Sequence, residues 1–179
     1  MVAPYLAGQP IATVVTRVYS VEVTEAGWVV LAYRLPREPS GPRVTVWRKF
    51  RRLGALQVVD GLVALPATAA TIEAFGWLAD EVIEAGGEAW TWQGTGSKQQ
   101  DRALRQQLRE AIVDEYAALI EDIHAAGHEP PRRTVERLRR ALREIERRDY
   151  VTPKERDDAR RALQRMTKLA DTTAREPAR

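Results

Sequence analysis

Apolar positions along this chain follow three different rhythms, and each predicts its own kind of element. Residues 28–35 (WVVLAYRL) form a near-continuous apolar run of strand formers, as expected for a strand buried on both faces. Pro36, Pro39, Gly41 and Pro42 stop it and shape a turn. Pro42 suits the first turn of a helix, with Ser40 placed to cap it. Over 43–53 the period becomes helical. Steps of about 100° gather Val46, Phe50 and Leu53 on one narrow face and set Arg48, Lys49, Arg51 and Arg52 opposite, with Trp47 at the flank. Gly54 closes this helix as a left-handed cap.

Residues 56–65 (LQVVDGLVAL) read as two strands folded at Asp60-Gly61, a strong hairpin signal. Thr68 or Thr71 can cap the next helix, whose core face is expected to carry Ile72, Phe75, Ala79, Val82 and Ile83 before Gly86-Gly87 ends it. Residues 88–93 alternate and make a last strand. The order β-α-β-β-α-β is that of the ferredoxin-like split βαβ arrangement, one antiparallel sheet with two helices on one face. The predicted class is therefore α+β, a ferredoxin-like core followed by an all-helical extension.

After the short link 94–97 the pattern is helical throughout. Residues 98–125 repeat Leu104, Leu108, Ile112, Leu119 and Ile123. Residues 134–148 align Val135, Leu138, Leu142 and Ile145, and 154–169 align Ala159, Ala162, Leu163, Met166 and Leu169. Thr152 is a natural cap for the last helix, with Pro153 its first residue. The expected domains are a leader (1–25), with a strand composition over 11–23 or no fixed structure, a core (26–94) and a helical extension (95–179) with a frayed end.

Composition narrows the function. An apolar fraction of 44% is enough to bury a core, and the absence of cysteine excludes disulfides, thiolate metal sites and cysteine nucleophiles. No run of about 18 apolar residues could cross a membrane. The first 25 residues hold one basic residue, Arg17, so no secretory signal is expected. A cytoplasmic location with no membrane partner follows as the expectation. The net charge of +3 says little, but its distribution says more. Acids interleave with the basic residues of 132–168, the usual mark of a solvated helix face. Arg43, Arg48, Lys49, Arg51 and Arg52 have no acid among them, which points to an anionic partner.

Candidate chemistry is sparse. There is no glycine-rich dinucleotide loop, phosphate-binding loop or nucleophile elbow, and no cofactor is expected. Asp80-Glu81 and Asp157-Asp158 lie on amphipathic helices beside basic residues, where solvation is the simpler account. His124 and His128 stand four apart near Glu121 and Glu129, a spacing that can bind metal, but Gly127 intervenes and no third ligand is set by spacing. Trp77 falls away from its helix's core stripe, and packing under the C-terminal helices is its expected fate. Arginine forks suit phosphates and other oxyanions alike, so oxyanion binding at Arg34, Arg37 and Arg43 stays open.

The stretches WVVLAYRLPREPSGPRVTVWRKFRRLGALQVVDGLVALP and WLADEVIEAGGEAWTW resemble the N-terminal domain of the chromate-resistance regulator ChrB. The shared signature runs from YR-x-PREP through WRK and RLGA to a GGEA helix end, over roughly 28–92. LRRALREIERRDY resembles the arginine-rich helix that follows in that family. The resemblance implies a non-enzymatic, DNA-binding transcriptional regulator, with promoter DNA of chromate-resistance genes as partner. The family's N-terminal region is often described as a winged helix-turn-helix, whereas the element order here favours a ferredoxin-like core. The residues it would supply for nucleic-acid binding are Arg34, Arg37, Arg43, Trp47, Arg48, Lys49, Arg51 and Arg52. Family members carry a further, chromate-responsive domain outside the present residues, so a separate chromate-responsive protein is an implied partner. Cores of this order also resemble the CRISPR spacer-acquisition nuclease and the central domain of the phenylacetate repressor PaaX. The nuclease needs an aspartate at the end of its first strand, and here that place reads Tyr33-Arg34-Leu35-Pro36. The alternative is thus a dimeric scaffold lacking that aspartate; a residual nuclease would have to use Glu38 or Glu73. A homodimer is expected by fold analogy.

Overall fold

The computed structural model describes residues 27–127 and 130–173, with side chains described to residue 168. The leader 1–25, with its expected strand over 11–23, lies outside the described residues, as do His128 and the side chain of Leu169. The elements run β1 (Trp28–Arg34), α1 (Ser40–Leu53), β2 (Leu56–Val59), β3 (Leu62–Pro66), α2 (Ala69–Glu84), β4 (Glu88–Gly94), α3 (Lys98–Ala125), α4 (Arg132–Glu146) and α5 (Lys154–Thr173). The described residues form a mixed α+β structure with a four-stranded antiparallel sheet, ordered β2-β3-β1-β4, and five helices. β3 lies between β1 and β2 and antiparallel to both, so β1 and β2 run the same way.

The apolar run of β1 is explained by cover on both faces. Val29 and Leu31 join Val63 and Leu65 of β3 beneath Val46 and Phe50 of α1 and Phe75, Leu78 and Val82 of α2. Trp28 and Ala64 face the other way and meet Leu108 of α3, with Val30, Leu56 and Leu104 packed alongside. Trp28 is held there by its indole N–H, which donates to Asp101 Oδ1 at 2.9 Å, while the Arg105 guanidinium lies 5.5 Å from its ring centroid. The hydrogen bonds from Arg105 and Trp28 hold the Asp101 carboxyl below its usual range.

At the hairpin, Gly61 has φ of 74°, and a Cβ there would stand 2.6 Å from the Tyr33 carbonyl oxygen. That closeness lets Tyr33 N–H donate to Gly61 O at 2.7 Å, so glycine is required by conformation and by space. Thr68 and Thr71 both cap α2, each side chain accepting from the other's backbone N–H. Ser40 does not cap α1. It is the first helical residue, following Pro39, and no side chain caps that end. Nor is Ile83 on the core face of α2: it is 54% exposed, and Leu78 and Thr71 are buried instead, because the sheet meets a face rotated from the one expected.

The three C-terminal helices share a second core. Ile112, Tyr116, Leu119 and Ile123 of α3 pack against all four expected α4 positions and against Ala159, Ala162, Leu163 and Met166 of α5. Tyr116, polar at one end, breaks the simple pattern and is fully buried. Its hydroxyl donates to Asp149 Oδ2 at 3.0 Å. Asp149 lies in the α4–α5 turn with its side chain fully buried, and its Oδ1 accepts from the backbone N–H groups of Val151 and Thr152 at 3.0 and 2.7 Å. Asp149, not Thr152, therefore organises the entry to α5. Thr152 has φ of 45°, and the helix starts at Lys154.

The same turn ties the helices to the sheet half. Arg148 Nε donates to Glu115 Oε2 of α3 at 2.9 Å, and Tyr150 donates its hydroxyl to the Leu53 carbonyl at 2.8 Å, satisfying an orphan acceptor at the end of α1. Asp149→Ala, leaving three donors without an acceptor, is expected to cost about 3 kcal/mol in urea unfolding. Tyr116, through burial and its bond to Asp149, and Tyr150, through burial, both titrate above the ordinary 10.0. The folded state thus holds these protons more tightly than the unfolded state does. Stability is expected to be unaffected by these groups below about pH 10 and to fall above it, less steeply in Tyr116→Phe, as urea midpoints across that range would show.

Candidate nucleic-acid interface

The candidate residues sit on α1 and on the turn leading into it. α1 is fixed by its inner face. Val46 and Phe50 are buried, and the Phe50 ring lies 4.9 Å from that of Tyr33 and 6.3 Å from that of Phe75. This anchoring points the remaining positions outward. Arg43, Arg48, Arg51 and Arg52 are exposed, as is Trp47, at 53%. Gly54, with φ of 69°, ends the helix, and its N–H donates to Arg51 O.

The eight sequence candidates do not form one uniform patch. Arg51 lies 5.4 Å from the Trp47 ring centroid, a cation–π contact that holds a flat aromatic surface beside a guanidinium. Lys49 is not on the face opposite the core. It is half-buried against α2 and donates to Glu81 Oε2, because its position on the wheel borders the core stripe. Arg34, at the end of β1, pairs across the sheet with Glu88 of β4 at 2.7 Å. Arg37 is exposed in the turn. Among the described residues Arg37, Arg43, Arg48 and Arg52 have no carboxylate partner, and α1 has no acid in its first turn. Four free cations on a rigid helix and its entry turn form a local positive surface suited to phosphate oxygens.

The other candidates scatter. Trp77 is 69% exposed and does not pack under the C-terminal helices; the one that meets the sheet, α3, lies against its opposite face. It borders Lys49, Arg52 and Leu53 instead, extending the aromatic edge of the basic surface. Glu81 is spent on Lys49, while Asp157 and Asp158 pair with Arg160 and Arg161. Glu38, in the turn, and Glu73, on α2, are both exposed. His124 is exposed at the end of α3, and among the described residues no group of three or more His, Cys, Asp or Glu side chains could hold a metal ion. No described helix is long and apolar enough to cross a membrane.

One feature is not foreseen from the sequence. The second face of the sheet carries an apolar groove of about 460 Å³, floored by Val30, Leu62 and Ala64 and walled by Trp92 of β4 and Leu104 of α3. Trp90 and Trp92 are each about half exposed along β4, an edge strand. Their alternation was visible; that their face of β4 would extend beyond the cover of α3 was not.

Lys49→Gln is expected to weaken binding to any polyanion less than Arg48→Gln does, since Lys49 is already neutralised by Glu81. Side-by-side fluorescence anisotropy with labelled duplex DNA would show a several-fold smaller loss for Lys49→Gln.

No curated protein and no solved structure matches the chain significantly. A family model does match, over residues 43–129, just under half of the chain, starting at Arg43 and so taking in the basic run of α1 but not β1, Arg34 or Arg37. The model is that of the family described as Protein ChrB, N-terminal, and it is this family that the segment resembles.

Proposed function

We propose that this protein is a non-enzymatic, DNA-binding transcriptional regulator of the chromate-resistance type, working in the cytoplasm. The observation that carries this reading is the outer face of α1. Arg43, Arg48, Arg51 and Arg52 stand exposed with no carboxylate engaged among the described residues, on a helix whose inner face is locked into the core. The match of the ChrB N-terminal family model to that same segment supports the reading. Arg51 and Trp47 would act together, the arginine on a phosphate and the ring against sugar or base, with Arg37 reaching from the entry turn. Arg34 and Lys49, held by Glu88 and Glu81, would position the surface more than contact DNA. We read the strand order, taken from β4 as β4-β1-β3-β2 and joined as βαββαβ, as the ferredoxin-like arrangement.

Arg48→Glu combined with Arg51→Glu is expected to abolish the gel shift of DNA from upstream of the protein's own gene, with the circular dichroism spectrum and melting temperature kept. Unchanged affinity at moderate salt would overturn the reading.

A second reading, compatible with the first, is self-association through β4. This edge strand of seven residues contains no proline or lysine, its outer backbone groups are unpaired in the sheet, and Trp90 and Trp92 lie half exposed beside it. A second copy pairing antiparallel along β4 would extend the sheet and cover both tryptophans. Sedimentation should then give a dimer that Thr91→Pro, which removes a backbone N–H and its pairing geometry, converts to monomer; a wild-type monomer at high concentration would exclude the dimer.

A further inference from the structure

α4 carries a charged surface that the α1 site does not use. Val135, Leu138, Leu142 and Ile145 face the helical core, and the helical period then sets Arg133, Arg140 and Arg147 directly opposite them, seven residues apart. Arg147 follows the last residue of α4 but keeps helical φ and ψ, so the row is unbroken. Arg137 and Arg143 flank it, and all five are exposed.

Ion pairing within the protein does not account for this row. Among the described residues, acids engage Arg132 (through Glu136) and Arg137 (through Asp122, at 3.4 Å), but none engages Arg133, Arg140, Arg143 or Arg147. On this outer face, Glu144 has no arginine on its carboxylate among the described residues. Helix electrostatics favour Arg143 and Arg147 at the C-terminal end of α4 but do not explain the other end of the row. α4 has no acid in its first turn, so Arg132 and Arg133 oppose the positive end of the helix dipole, an arrangement an external anion would relieve. Nor does solubility require arginine: α4 holds six arginines and no lysine, and the guanidinium fork matches phosphate oxygens where an ammonium would serve for solvation.

The row is also joined rigidly to the α1 surface. A Cβ on Gly54 would lie 2.9 Å from Arg148 Cβ, and Tyr150 caps Leu53 O, so α1 and α4 end at one joint. Arg51 and Arg52 stand in the last turn of α1, with Arg143 and Arg147 at the end of α4. From Arg133 to Arg147 the row spans about 21 Å, the length of about six base-pair steps of a duplex.

We propose that Arg133, Arg140, Arg143 and Arg147 form a second phosphate-contacting surface for double-stranded DNA, engaged together with α1. This rests on the DNA-binding reading above and adds that α4 shares the contact. The contact is to backbone phosphates, so it is independent of base sequence.

The test uses the full chain, a labelled random-sequence duplex and anisotropy titrations over a range of salt. The triple variant Arg133→Gln/Arg140→Gln/Arg147→Gln should bind about tenfold or more weakly near physiological salt. Its log–log salt slope should be shallower by about 2 to 3, close to 0.9 for each phosphate no longer neutralised. Its melting temperature should be unchanged, because these side chains make no ion pair among the described residues. The matching triple lysine variant, which keeps the charge, should retain most of the slope. If the glutamine variant keeps wild-type affinity and slope while Arg48→Gln/Arg51→Gln loses them, the α4 proposal is overturned and the α1 reading stands. Wild-type protein with no salt-dependent binding overturns both.

Discussion

The buried carboxylate of Asp149 is the contact on which the arrangement of this molecule depends. An acid with no exposed side-chain surface is costly unless its oxygens are occupied. Here one oxygen takes the Tyr116 hydroxyl from within the helical core, and the other takes two backbone N–H groups of the turn. The neighbours on either side look outward from that fixed point. Arg148 reaches Glu115 on α3, and Tyr150 reaches the last turn of α1. Three consecutive residues thus set the entry to α5, hold α4 against α3, and dock the helical half onto the sheet half. The halves also meet through the apolar contact of Trp28, Ala64 and Leu108, with the Trp28 indole N–H donating to Asp101 of α3.

That joint bears on the basic surface. A helix can present charge in a defined direction only if it neither rolls nor frays. The Val46 and Phe50 side of α1 prevents rolling, and the bond from Tyr150 to Leu53 O completes its C-terminal end. The tertiary contacts also sort the cations. Lys49 and Arg34 are drawn into pairs that join α1 to α2 and β1 to β4, leaving Arg37, Arg43, Arg48 and Arg52 without carboxylates among the described residues and Arg51 laid on Trp47. A positive run that looks uniform in one dimension becomes a smaller free surface with a paired border.

Much of this was legible beforehand for a simple reason. Element type follows from period and punctuation, which are local, so β1, the Asp60-Gly61 hairpin and the four core positions of α4 could be read directly. Positions on the border of a helix's apolar stripe were not readable in that way. Lys49 is half-buried and Ile83 exposed, each against expectation, because the angle at which a helix meets its neighbours decides which border is covered. Trp77 was expected under the C-terminal helices, but of these α3 meets the sheet, and on its other side.

By itself, then, the sequence determined the α+β character, the order of elements, the apolar stripes and the basic run of α1, since each depends on residues a few positions apart. Its resemblance to the ChrB N-terminal family likewise rests on contiguous signatures. Only the tertiary structure decided which cations are free, that Tyr116 and Asp149 meet across 33 positions, and that α1 and α4 end at one joint. Those outcomes depend on contacts between residues far apart in the chain, and no local period encodes which distant partner will close them.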